Sequence, residues 1–256
     1  MATYKKKGYK KEKKTTDDLS YLSKESTTAE VFTSLDEGAS KLEQFLEKNQ
    51  KWIFTGLLAI IVLVGGYMWY DNNVIKPKEK EAINNLVTAQ NYFDKALNEK
   101  EDETKIKEYF DKALNGADGK YGFLQVNEKF SGTKAGNLTN YYIGMIYFKN
   151  GDYKNAVSYL SKFNSDDAIL NPMAKGTIGD AFVELEQFDD ALKYYEKAAK
   201  ASDNEFTTPM YYFKAGKIAL KLGDKAKAKK YFEIIKEKYP DSKQGKNIDM
   251  YLMQAK

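Results

Sequence analysis

A chain of 256 residues carries 41 basic and 37 acidic side chains, net charge +4, and every basic residue is lysine. Without arginine, histidine or cysteine it has no Ser-His-Asp or Cys-His nucleophile, no Cys/His zinc site, no disulfide and no acylated N-terminal cysteine. At 42% hydrophobic and 30% charged it can still bury a core.

Residues 1–32 open with seven lysines against Glu12 in the first fourteen positions, then turn to serine, threonine and aspartate with no sustained apolar period. That composition predicts disorder. Tyr4 and Tyr9 interleave the lysine clusters, so the arm is either a solvated tail that sets topology or a weak contact for anionic lipid or ribosomal RNA. From a cap at Thr33 or Ser34, Leu35, Ala39, Leu42 and Leu46 recur at helical spacing and predict an amphipathic juxtamembrane helix over 33–51. Its apolar stripe would lie on the inner leaflet or on a partner.

From Trp52 to Tyr70 run 19 uncharged residues, about 28 Å as a helix against a hydrocarbon core of about 30 Å. Nine of them are Ile, Phe, Leu or Val, which favours insertion by about 3 to 5 kcal/mol before the polar members are counted. Trp52 at one end, with Tyr67, Trp69 and Tyr70 at the other, has the composition of interfacial anchors against membrane lipid. The run begins 51 residues in and lacks a small-residue cleavage pattern, so it predicts an uncleaved anchor rather than a signal peptide. Lysines close to the two ends tie at three each, and the distal lysine-rich tail favours a cytoplasmic N-terminus.

After a break expected at Pro77 the helical period persists. Ala82, Leu86, Ala89, Phe93 and Ala96 make one stripe, and Ile106, Tyr109, Phe110, Ala113 and Leu114 another. Then a pattern repeats: Gly144, Ala156 and Leu160 are matched by Gly179, Ala191 and Tyr195, and again by Gly216, Ala228 and Phe232. The leading glycines stand 35 and 37 residues apart, and an aromatic three positions on, Tyr147 or Phe182, accompanies two of them. This resembles the tetratricopeptide repeat, so the predicted fold is all-α: a single N-terminal transmembrane helix, then a tetratricopeptide α-solenoid over 77–256. Its first two helices form a degenerate pair and residues 247–255 a capping helix.

In arrays of this kind the first helix of each pair lines a concave groove. The stripe there is Leu138, Tyr141, Met145 and Phe148 in the first copy, Met173, Gly176, Asp180 and Val183 in the second, and Met210, Phe213, Lys217 and Leu220 in the third. It is mostly apolar with three methionines, which suits adaptable apolar partners. The alternative is that these side chains are covered by the protein's own helices and belong to its core. Asp166-Asp167 falls in an inter-helix loop, and Asp189-Asp190 opens a helix where acids complement the dipole, so neither pair points to catalysis. No cofactor or metal site is predicted.

One further likeness rests on local residues: Ser26 to Phe32 with Leu35-Asp36-Glu37, Lys48 to Lys51, Tyr121-Gly122-Phe123, and Thr133 to Leu138 leading into Tyr141-Tyr142. Together with the layout they resemble the YfgM family of bacterial inner-membrane proteins, in its Bacteroidota version. The resemblance implies a non-enzymatic accessory subunit of the SecYEG translocon, with its repeat domain in the periplasm. Its partners would be a PpiD-like periplasmic chaperone and secretory client polypeptides. An envelope scaffold for cell-wall or outer-membrane assembly is the alternative.

Overall fold

In a computed structural model the backbone is described over residues 27–256, and side chains at 39 and from 42 onward. Of the arm expected to be disordered over 1–32, residues 1–26 lie outside the described residues, and residues 27–32 are helical, as the start of α1. The chain divides into two units, Met1–Trp69 and Tyr70–Lys256. All named elements among the described residues are helices.

The first unit is built on α1, Thr27–Tyr70, 44 residues and about 66 Å long. It starts ahead of the cap expected at Thr33 or Ser34, because nothing between Thr27 and Thr33 breaks a helix and Ala29 and Glu30 favour one. Over 52–70 nearly every large side chain is exposed, Trp52 at 80% and Leu63 at 72%. This is one helix long and apolar enough to cross a membrane. Within the run the Thr55 hydroxyl donates to the Lys51 carbonyl at 2.6 Å, so its polarity is satisfied by its own helix.

The second unit opens with a π-helical turn, Asp71–Ile75, and α2, Lys76–Asn98. Pro77 does not break the chain as expected but occupies the first turn of α2. A proline ring collides with the carbonyl four residues back in a regular helix, and the wider turn, where Lys76 N–H donates to Asp71 C=O, eases that crowding. The stripe Ala82, Leu86, Ala89, Phe93 and Ala96 is buried against α3, Glu103–Asn115, and α4, Phe123–Lys129. At its centre Phe123 and Tyr142 stack with centroids 4.7 Å apart, and Phe93 meets Tyr142 edge-on at 5.1 Å.

The glycine-bearing motif around α4 reads as local packing. Gly122 opens α4, and a Cβ there would meet the Leu114 carbonyl. Thr133 caps α5, Lys134–Lys149, by accepting from Gly136 N–H at 2.9 Å. Glu79, from the first turn of α2, takes the two N–H groups before it, Lys134 at 2.6 Å and Ala135 at 2.9 Å.

Three helical pairs follow: α5 with α6, Tyr153–Leu160; α7, Leu170–Glu184, with α8, Phe188–Lys200; and α9, Thr207–Lys221, with α10, Lys225–Lys238. α11, Ile248–Gln254, closes the described chain. In every pair the glycine of the first helix faces the large residue sixteen positions on in the second. A Cβ on Gly144 would stand 2.5 Å from Leu160 Cγ, one on Gly179 2.7 Å from the Tyr195 ring, and one on Gly216 closer still to the Phe232 ring. The turn between helices uses a left-handed residue seven positions after each glycine: Gly151, Glu186 and Gly223, with φ of +80°, +57° and +81°. The second copy thus carries a side chain where the others use glycine, at a cost of about 1 kcal/mol.

Gly216→Ala is expected to destabilise the array by about 1 to 3 kcal/mol through overpacking against Phe232. Gly66→Ala, in open space on α1, should leave it unchanged. Thermal unfolding of the detergent-solubilised chain followed by circular dichroism distinguishes them.

Candidate partner-binding face

The first helices α5, α7 and α9 present the stripe read from the sequence, and its members have three different settings. Tyr141 is buried, its ring 5.4 Å from Phe163 in the cluster that includes Ala174 and Ile178. Leu138, Met145, Phe148, Met173, Val183, Met210, Phe213 and Leu220 are half-buried, and Lys217 is exposed.

Part of that cover comes from the next first helix. The Thr177 hydroxyl reaches Met145 Sδ at 3.6 Å, so α5 and α7 meet at this methionine. Gly176 lies under the Tyr211 ring, which occupies the space a Cβ would need. Phe213 is met edge-on by Tyr251 of α11 at 4.6 Å. Stacking of successive first helices therefore uses several stripe residues, and what stays open runs between them.

Between α7 and α9 lies a polar staple that the sequence reading passed over. Asp180 accepts from Lys214 Nζ at 2.7 Å on both oxygens and from the Tyr195 hydroxyl at 2.5 Å. The same ammonium sits 5.6 Å from the Tyr195 ring and 5.7 Å from the Tyr211 ring. Burial, then the Asp180 charge, pushes the Tyr195 phenol up. Its signal was present: Asp180 stands one position after its glycine, where the other copies carry Met145 and Lys217, and Lys214 lies 34 residues on.

Two further tyrosine–carboxylate bonds tie successive second helices and loops. Tyr231 of α10 donates to Glu196 of α8, and Tyr239 donates to Asp203 at 2.5 Å. Burial, then the bond to Asp203, holds the Tyr239 phenol up at about 12. Among the described residues no group of three or more acidic side chains is placed to hold a metal ion. An open cleft of about 640 Å³ lies off the stripe, between α3 and the end of α5, lined by Ile106, Phe110, Leu114, Lys107 and Lys149.

Tetratricopeptide-repeat family models match residues 177–243 and 139–164. A TPR repeat-containing protein of Methanocaldococcus jannaschii is 31% identical over 124 residues, which is 48% of this chain and 21% of the relative. The chain thus spans about a fifth of the length of that curated relative. The matched residues cover most of α5 with α6, and then the second half of α7 through α10, so this part of the chain is an array of tetratricopeptide repeats, a fold that binds protein partners.

The tyrosine bonds predict an alkaline limit. Folding raises the Tyr239 pKa, so its contribution is complete below the ordinary phenol value of about 10 and is lost as pH rises through about 12. In pH-dependent unfolding the parent chain should lose stability across that window, and Tyr239→Phe should lose less of it.

Proposed function

We propose that this is a membrane-anchored, non-enzymatic interaction protein that works beside the Sec translocon. In this reading residues 52–70 span the inner membrane, residues 1–51 face the cytoplasm, and the array over 77–256 stands in the periplasm. The observation that carries the anchored-adapter reading is the juxtaposition itself: an uncovered apolar helix and an array of tetratricopeptide repeats in one chain. Trp52, Tyr67, Trp69 and Tyr70 are exposed, and amphipathic rings of this kind favour the lipid interface. The family resemblance supplies the narrower part, the SecYEG translocon and a PpiD-like chaperone as partners and emerging secretory polypeptides as clients.

The half-buried stripe is the surface assigned to those partners. Its open members, with Lys217 at the edge, offer apolar area with a single cation, which suits extended apolar segments of a client or a chaperone helix. Phe213 has a second duty, because its ring is packed on Tyr251 and Phe232. Lys217→Glu should therefore weaken partner retention with an unchanged melting temperature, whereas Phe213→Ala should lower stability by about 3 kcal/mol, the cost of an emptied aromatic site.

Two experiments test the reading. A cysteine placed at Ser158, which is exposed on α6, should react with a membrane-impermeant thiol reagent in intact spheroplasts, and one at Ser20 should not. The reverse pattern rejects a periplasmic array. Purification of the tagged protein in gentle detergent, with mass spectrometry against an unrelated single-span control, should enrich SecY and a prolyl-isomerase-type chaperone. Enrichment of cell-wall or outer-membrane assembly factors without SecY would replace the translocon with an envelope scaffold.

A further inference from the structure

Ahead of the uncharged run, α1 carries large apolar side chains that no described residue covers: Leu42 is 60% exposed, Phe45 58% and Leu46 47%. Positions 39, 42, 46, 49 and 53 hold Ala, Leu, Leu, Asn and Ile, alternately three and four residues apart, which is the heptad of a coiled-coil seam. The charged side chains Glu47, Lys48 and Lys51 fall on the far side of the helix from it, and Glu43 alone flanks it.

Lipid is a poor cover for this seam. α1 is unbroken from Thr27 to Tyr70, and a straight helix that crosses a bilayer does not also lie along its surface. Leu42 stands ten residues before Trp52, about 15 Å further along the axis. Lowering it into hydrocarbon would carry Glu43, Glu47, Lys48 and Lys51 in as well, at about 2.5 to 3.5 kcal/mol for each charge that reaches the helix centre.

A second copy of the chain fits instead. Two copies of a single-span protein in one membrane point the same way, so their α1 helices are parallel and each seam position faces its twin. Leucine meets leucine at 42 and 46, and no like-charged pair is forced together inside the seam. Asn49, whose Nδ2 also donates to the Phe45 carbonyl at 2.8 Å, would face another Asn49. A lone amide in such a seam finds a partner only in one register, which is how a buried asparagine fixes alignment. The next seam position is Gly56, where a Cβ would meet nothing within 4 Å, so the backbone there leaves room for a second helix.

We propose that α1 pairs with α1 of a second copy, parallel and in register, through Ala39, Leu42, Leu46, Asn49 and Ile53. The pairing rests on the reading of α1 as a membrane span and would present two repeat arrays side by side to a partner.

The chain has no cysteine, so single-cysteine variants of the full-length protein report the seam directly. Leu42→Cys and Leu46→Cys, oxidised with copper–phenanthroline in native membranes, should give disulfide-linked dimer at least about fivefold over Gln44→Cys and Lys48→Cys, which lie off the seam. Adding Asn49→Lys should abolish that cross-linking while carbonate extraction leaves the protein in the membrane. Equal cross-linking at all four positions, or none at 42 and 46 with the protein still membrane-held, overturns the pairing and spares the span. Release of the parent chain by carbonate removes the span, and the parallel pairing falls with it.

Discussion

The array depends on the absence of one side chain. At Gly144, Gly179 and Gly216 the first helix of each pair comes so close to the second that a single methyl group would overlap Leu160, Tyr195 or Phe232. That approach lets the alanines Ala156, Ala191 and Ala228, all fully buried, sit between the helices, and the large residue four positions later fills the notch each glycine leaves. Because the spacing from glycine to filler is sixteen in every copy, the pairs share one geometry and can stack.

Stacking in turn decides what remains for function. Tyr211 enters the space above Gly176, Lys214 reaches back to Asp180, and Tyr231 and Tyr239 reach back to Glu196 and Asp203. Each link spans 34 to 36 residues, one repeat, so the polar bonds reinforce the period set by the glycines. The first helices spend part of their free face on this contact, which is why Tyr141 is buried and Met145 and Phe213 are shared between neighbours. The open residues between these contacts, with Lys217, form the surface proposed above for partners. On α1 the same logic runs in reverse: among the described residues its large apolar side chains are mostly exposed, which leaves them for the membrane and the second copy proposed above.

Much of this was legible because it is written in period. The stripe Ala82 to Ala96 is buried as its spacing requires, and the glycine, alanine and large-residue pattern marks all three pairs. What escaped was set by contacts between distant positions. α4 is seven residues long, too short to show a period, and is held by Asn127 reaching Thr139 at 2.9 Å and Asn140 at 3.0 Å. Pro77 read as a break because the π turn that accommodates it has no signature of its own. For the candidate stripe the sequence named the helix face but not its cover, since Tyr251, which roofs Phe213, lies 38 residues further on. The Asp180 staple likewise joins residues that no local pattern connects.

The most direct test is a double-mutant cycle between Gly216 and Phe232, read as thermal stability of the full chain in detergent. If the notch governs the packing, Phe232→Leu should be much less harmful on the Gly216→Ala background than alone, with a coupling energy of about 1 to 2 kcal/mol. Additive losses would mean that the helices relax around the added methyl, and that the glycines mark the repeat without holding it together.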